Sequence, residues 1–453
     1  MNHANAKDNY IYKYQKYKKK YILLKEQLGG NKNITIHIQP RKYHSNIGSF
    51  NVISNYMKTS TKKYLNWELL NIIKESSPSE YNDENINNDE YKLFPTEEFL
   101  NSKWSFLSEL IQQYDTYFNS SKWFDDKPAQ DIFDSNIMYP VILQKIVITD
   151  TSAKFCIIGD IHTSLHSLIS VMENIKDDYF EGDGNDMILK KNRYIIFLGD
   201  VVDRGPYNME VLFIVLSLKN KNFDNVIILD GNHEDYKLLK RYDTEEEFNL
   251  QFQDQSAKIS FVDSKINRIL NRLTTCVYLF VPGKVYHLSH GAFDSIYAGF
   301  LNGMTVPENN DFHKETTLYK FLESNTDFCL LDNNNSYTNY KWGDFNNKIN
   351  QTRVSVRGSD IFEYSYDLTK EYLERFKINN IISGHQDMEP INFLINKNSN
   401  TQNLVKSKKY PLYQPESLST FKVSNDEFLA IITSTATVSR DLKVEGVYIE
   451  ISI

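Results

Sequence analysis

Cysteine is scarce in this chain of 453 residues: there are three, Cys156, Cys276 and Cys329. Three scattered thiols cannot make the paired framework that staples small secreted domains, so the fold must rest on burial. Long apolar runs are missing too. Val211 to Leu218 is among the longest, and it reads as a buried helix rather than a membrane span. Met1 to Lys20 is polar and charged, unlike a secretory signal. Basic residues are not in excess: Lys and Arg number 51 against 59 Asp and Glu, a net charge of −8, so nothing draws the chain to nucleic acid in general. No internal repeat of significant length is present. These absences leave an intracellular, cytoplasmic protein without a transmembrane segment as the expectation. With 41% hydrophobic residues the chain can bury one large core plus an accessory region.

What the sequence does hold is five short segments in a fixed order: Gly159-Asp160-Ile161-His162, Gly199-Asp200-Val201-Val202-Asp203-Arg204-Gly205, Gly231-Asn232-His233-Glu234, His290-Gly291 and Gly384-His385. Four of them directly follow an apolar run: Phe155 to Ile158, Tyr194 to Leu198, Val226 to Leu229, and Ile381-Ile382. Short apolar stretches closed by glycine read as buried strands, so the polar residues sit where strands end. Glycine beside them lets the backbone turn and approach a metal or phosphate closely. Asp or Asn after one strand is an ordinary turn residue. The ordered set points to a site.

The residue types suit two divalent cations about 3.5–4 Å apart, which clamp the attacking and leaving oxygens of an in-line displacement. Two close cations need a bridging anion, and Asp200 is the candidate. Asp160 and His162 complete the first shell; Asn232, His290 and His385 complete the second. Such a nitrogen and oxygen set suits manganese, iron or zinc better than calcium or magnesium. A water between the cations would lose its proton near neutral pH and attack phosphorus. His233, directly after a ligand, is placed to protonate the leaving oxygen as general acid, and Asp203 to hold its imidazole in the useful tautomer. Arg204 and Arg357 are candidates for gripping phosphate oxygens.

Taken together these segments resemble the calcineurin-like metallophosphoesterases, and more narrowly the phosphoprotein phosphatase family of serine/threonine phosphatases. The narrower resemblance rests on Asp203-Arg204-Gly205, Val356-Arg357-Gly358, Trp342-Gly343-Asp344 and Gly384-His385-Gln386. It covers roughly residues 150 to 440. The resemblance implies an α+β, four-layer α/β/β/α fold, a β-sandwich flanked by helices around a dinuclear metal centre. It assigns the roles above, with Asn232 also touching the substrate phosphate. The chain departs from the family pattern at Thr163 and Ala292, where glycine is usual. It departs again at Thr433 to Ser439, where the family carries an S-A-P-N-Y stretch.

Residues 1–94 are expected to be a mostly helical N-terminal extension: a Tyr/Lys-rich helix from Tyr10 to Leu28, then a polar linker from Glu75 to Glu90. Residues 95–453 are expected to be the catalytic domain. It should open with a helix capped by Thr96 that carries Phe99, Leu100, Trp104, Leu107 and Leu110 on one side. Tyr236 to Lys265 reads as helical, and Asn309 to Asn339 as a polar insertion over the active-site face. Frequent Asn, Lys, Ile and Tyr fit an AT-rich genome, as in some protists and large DNA viruses. The expected function is metal-dependent hydrolysis of phosphoserine or phosphothreonine in proteins. The alternatives are hydrolysis of a dinucleoside polyphosphate or other nucleotide, and a catalytically silent binding protein.

Overall fold

The computed structural model describes residues 33–40, 65–76, 104–125, 128, 130–134, 140–182, 186–205, 207–239, 243–252, 254–300, 304–305, 312–331, 338–346, 349–386, 391–396, 402–404, 419–424, 428–433 and 444–453. The expected helix of Tyr10 to Leu28, the Thr96 cap and Ser434 to Ser439 lie outside these residues, as does the linker beyond Ser76.

Three of the apolar runs form neighbouring parallel strands, Lys154–Ile158, Arg193–Phe197 and Val226–Ile228. Ile157 pairs with Ile196, and Ile196 with Ile227. Parallel neighbours need crossovers, which the helices Leu165–Tyr179 and Asn208–Lys221 supply. Past the leading Lys154 and Arg193 these strands are apolar, because both faces are covered. Cys156, Ile158, Ile195 and Phe197 face the helices, while Phe155, Ile157, Ile196 and Leu198 pack against a second sheet.

Among the described residues the first sheet has six strands, in the order Ser419–Ser424, Asn33–Pro40, Val444–Ser452, Lys154–Ile158, Arg193–Phe197, Val226–Ile228, and the second has nine. Its spatial order is Gln402–Leu404, Ile391–Asn396, Phe428–Thr433, Asn380–Ser383, Lys284–Ser289, Cys276–Val281, Val141–Val147, Phe328–Leu331, Trp123–Phe124. Val277, Leu279, Leu288, Ile382 and Ile431 meet the first sheet, whereas Cys276, Tyr278, Ile381 and Ala430 face the helix Tyr366–Phe376 and its neighbours. Helices, sheet, sheet and helices therefore form the expected four layers. Each fully buried Ile, Leu, Val or Phe between the sheets contributes about 1.5–3 kcal/mol.

Two expectations need correction. Asn33–Pro40, within the region expected to be a helical extension, is a strand inserted between Ser419–Ser424 and Val444–Ser452. Ile34, Ile36 and Ile38 alternate with polar residues there, a period of two inside a polar stretch. Of the apolar side expected of the helix from Thr96, Phe99 and Leu100 lie outside the described residues, while Trp104 and, on the helix Phe106–Ser120, Leu107 and Leu110 are fully buried. The segment 309–339 is not a polar cover. It holds the helix Thr317–Glu323 and the strand Phe328–Leu331, with Leu318, Phe321, Phe328 and Leu331 buried. Tyr236 to Lys265 is helical in pieces, as expected, and ends in a π-helical turn at Val262–Ile266.

Candidate active site

The strand register brings the five segments together. Parallel pairing of Ile158 with Phe197, and of Phe197 with Ile228, sets the loops carrying Asp160, Asp200 and Asn232 side by side. In the second sheet Ser289 pairs in parallel with Ser383, so His290 and His385 leave neighbouring strand ends. His290 thus also follows a strand, Lys284–Ser289, which the sequence disguises with polar residues. Those polar groups bond to one another: His287 reaches the Tyr372 hydroxyl at 2.8 Å and the Ser289 hydroxyl at 2.9 Å.

The loops are then knitted together. The backbone N–H groups of Ile161 and His162 donate to Asp200 O, both at 2.9 Å, and Thr163 N–H donates to Val201 O at 3.0 Å. The Glu234 carboxylate accepts from Asp200 N at 2.7 Å, Val201 N at 2.9 Å and Gly231 N at 3.0 Å. His162, Thr163, Asp200, Asp203, Arg204 and His385 all have left-handed backbones, with φ from 44° to 70°. Such backbone is costly for residues other than glycine, and it persists where surrounding contacts over-determine it. Gly231 is required on other grounds, since a Cβ there would collide with Asp200 and Glu234.

His162 and His290 each have the ring set by one nitrogen and offer the other. His162 Nδ1–H donates to Val202 O at 3.1 Å, and Nε2 lies 3.4 Å from Asp200 Oδ2. His290 Nδ1–H donates to Leu198 O at 3.1 Å, and Nε2 lies 3.2 Å from Asp200 Oδ1 and 2.9 Å from Asn232 Oδ1. His385 turns Nδ1 inward, 3.0 Å from Asn232 Oδ1 and 3.2 Å from His290 Nε2. Among the described residues its Nε2 has no hydrogen-bond partner, and it points toward the equally unpartnered Asp344 Oδ1, 3.8 Å away.

Two buried donor groups result, His162–Asp200–His233 and Asp200–His290–His385, each with its atoms within 4.8 Å of one another. Asp200 belongs to both. Converging imidazole nitrogens and carboxylate oxygens, oriented by backbone carbonyls, fit divalent cations. Asp160 is buried alongside, its Oδ1 taking the His385 N–H at 3.0 Å and lying 3.7 Å from His290 Nδ1. Burial, reinforced by Asp200, pushes the Asp160 carboxyl up to about 6, although His290 opposes this. Burial would also raise Asp200, but His290 and His233 outweigh it and hold that carboxyl well below the usual range. Burial drives His162 down to about 3, whereas Asp200 and Asp160 overcome burial at His290 and lift it to about 9.

His233 Nδ1–H donates to Asp203 Oδ2 at 2.8 Å, and Arg204 Nη2 lies 3.3 Å from Nε2. Burial lowers the His233 pKa, but the Asp200 and Asp203 carboxylates more than offset this and leave it above the ordinary value. Arg357, expected at the phosphate, donates through Nε to Asp344 Oδ2 at 3.0 Å and is exposed. Several supporting residues escaped sequence reasoning: Glu234, Asp344, the Lys341–Asp230 ion pair, Asn208 and Thr244. Only Glu234 and Asp344 stood inside recognised segments; the others carry no local signal.

The calcineurin-like phosphoesterase family profile matches residues 153–387, more than half of the chain and every segment of this site. The chain belongs to the calcineurin-like phosphoesterases. The family implies divalent metals, in keeping with the two donor groups. Serine/threonine-protein phosphatase 4 catalytic subunits of Eremothecium gossypii and Saccharomyces cerevisiae are 39% identical over 93 residues, 20% of this chain and 26% of theirs. The match thus spans about a quarter of those relatives' length. A probable serine/threonine-protein phosphatase of Encephalitozoon cuniculi is 23% identical over 246 residues, 54% of this chain and 45% of its own. A solved protein serine/threonine phosphatase from Saccharomyces cerevisiae aligns at a TM-score of 0.41 and 17% identity, over 64% of this chain and 73% of that one. No helix among the described residues is long and apolar enough to cross a membrane.

Proposed function

We propose that this phosphoesterase hydrolyses phosphoserine and phosphothreonine in proteins, at a centre holding two divalent cations. One observation carries the reading: the two carboxylate oxygens of Asp200 serve two different donor groups, Oδ2 toward His162 at 3.4 Å and Oδ1 toward His290 at 3.2 Å. Support for the protein substrate comes from the relatives, which are named as serine/threonine-protein phosphatases. Asp160, His162 and Asp200 would hold one cation, and Asp200, Asn232, His290 and His385 the other. Bound there, manganese, iron or zinc supplies Lewis acidity at phosphorus and lowers the pKa of water.

The chain's own residues do the rest. Asp203 accepts the Nδ1–H of His233 and with Asp200 favours the imidazolium, whose Nε2–H is the proton passed to the leaving serine or threonine oxygen, leaving the ring neutral with its proton on Nδ1. Arg204, beside Nε2, places positive charge where the phosphoryl oxygens must lie. Arg357 reaches the same oxygens by exchanging its Asp344 partner for phosphate. Asn232, buried between His290 and His385, contacts the substrate phosphate through its amide N–H.

Turnover of a phosphoserine peptide, set against diadenosine tetraphosphate with the same manganese-loaded protein, tests the reading. The peptide should be the better substrate. Preference for the dinucleotide would overturn the protein-phosphatase assignment and leave the phosphoesterase chemistry standing. His233→Ala should lower kcat on the peptide by about 10²–10⁴-fold at intact fold; full activity would remove His233 from its role.

A further inference from the structure

Asp203 has two oxygens with different surroundings. Oδ2 faces His233 Nδ1 at 2.8 Å. Oδ1 accepts the backbone N–H of Thr244 at 3.3 Å and is in close contact with the Thr244 hydroxyl. That hydroxyl is also 2.7 Å from Asn208 Oδ1, but it carries one proton. Asn208 Oδ1 already receives the Asp203 backbone N–H at 2.8 Å, so Asp203 Oδ1 is the acceptor the hydroxyl serves.

The same short helix, Asp243–Gln251, also fixes Asn208. Glu247 accepts from Asn208 N and Asn208 Nδ2, each at 2.8 Å, and from Met209 N at 3.1 Å. Asn208 Nδ2 donates in addition to Gly205 O at 3.0 Å, which leaves its Oδ1 aimed at Asp203 and Thr244. Thr244 and Glu247 stand three residues apart, on one helix face, both buried with Phe248. Asp203 and Arg204 are meanwhile consecutive left-handed residues, with φ 66° and 68°, which need such outside support.

We propose that Thr244 is a positioning residue for proton transfer: by occupying Oδ1 it fixes the plane of the Asp203 carboxylate, so that Oδ2 alone orients the His233 ring. The proposal rests on the reading of His233 as proton donor to the leaving oxygen. A carboxylate held from one side only can swing about its Cβ–Cγ bond and carry the imidazole with it. A threonine that merely satisfied a buried oxygen would have no influence on how the rate depends on the leaving group.

That dependence is the test. Manganese-loaded wild type, Thr244→Val and Thr244→Ser are compared on phenyl phosphate, whose basic leaving group needs a proton, and on p-nitrophenyl phosphate, whose leaving group needs little. Thr244→Val should lose about tenfold in kcat on phenyl phosphate and less than about twofold on p-nitrophenyl phosphate, with KM unchanged. Thr244→Ser, which keeps the hydroxyl, should restore the rate. Equal losses on both esters, or no loss on phenyl phosphate, would overturn the proposal.

A second readout does not depend on turnover. In metal-free protein with ¹⁵N-labelled histidine, the His233 Nδ1 proton should resonate far downfield and vanish in Asp203→Asn. It should move upfield or broaden in Thr244→Val at an unchanged melting temperature. An unmoved resonance also overturns the proposal. Wild type inert on both esters would instead count against the function proposed above, and the resonance would then decide the role of Thr244.

Discussion

Asp200 holds a φ of 50° while each of its carboxylate oxygens faces a different histidine. That conformation is bought with local strain, and the restraint comes from Glu234, whose carboxylate takes the N–H groups of Asp200, Val201 and Gly231. Thr163 shows strain without such a return. It is β-branched, buried, at φ 57°, and its hydroxyl has no hydrogen-bond partner among the described residues. Thr163→Gly removes a left-handed β-branched residue and an orphaned hydroxyl, each worth about 1–3 kcal/mol. It adds the backbone entropy of glycine, about 0.5–1 kcal/mol. The net effect should be a gain of about 1 kcal/mol or more, read from the urea midpoint, with hydrolysis retained. A lower midpoint would mean that the side chain's packing outweighs its strain.

Among the elements, the parallel strands decide where chemistry happens, because their shared ends gather residues far apart in sequence. Four of the five segments were legible for that reason: an apolar run, a glycine, then a polar donor residue. Lys284–Ser289 was not, since His287 and Ser289 break the apolar pattern and satisfy each other inside the fold. Thr244 was invisible because Asp243-Thr244-Glu245-Glu246-Glu247 reads as a solvated acidic face. The carboxylate that captures Arg357 could not be read either, as pairing across loops has no sequence spacing. Arg272 is a further case, fully buried between elements. It donates to Asp115 at 2.9 Å, Asp134 at 2.7 Å, Phe133 O at 2.9 Å and Arg268 O at 2.8 Å. It therefore fastens the helices Phe106–Ser120 and Gln130–Asp134 to the layer over the first sheet. Arg272→Met should cost about 1–3 kcal/mol, since the buried Phe133 carbonyl loses its donor, whereas Asp115 and Asp134 are part-exposed and can turn to water. Hydrogen exchange should show residues 106–134 opening first, with manganese-dependent hydrolysis retained in the folded fraction. Uniform exchange across the chain would argue against that local role.

Across the whole molecule, the two sheets contribute unequal halves of one site. The six-stranded sheet brings Asp160, His162, Asp200 and Asn232, and the nine-stranded sheet brings His290 and His385. Cations held between them would tie the halves of the sandwich together. Manganese at a hundredfold excess over its Kd should therefore raise unfolding free energy by about 2.7 kcal/mol, seen as a higher Tm. Asp200→Asn should abolish most of that gain, because the carboxylate that both donor groups share becomes a neutral amide with a single oxygen. The most direct test of the central claim is hydrolysis of p-nitrophenyl phosphate by metal-stripped protein as manganese is returned, in wild type and in Asp200→Asn. The account predicts no hydrolysis without metal, recovery in wild type, and none in the variant. Hydrolysis that survives stripping, or that returns fully in Asp200→Asn, would contradict it.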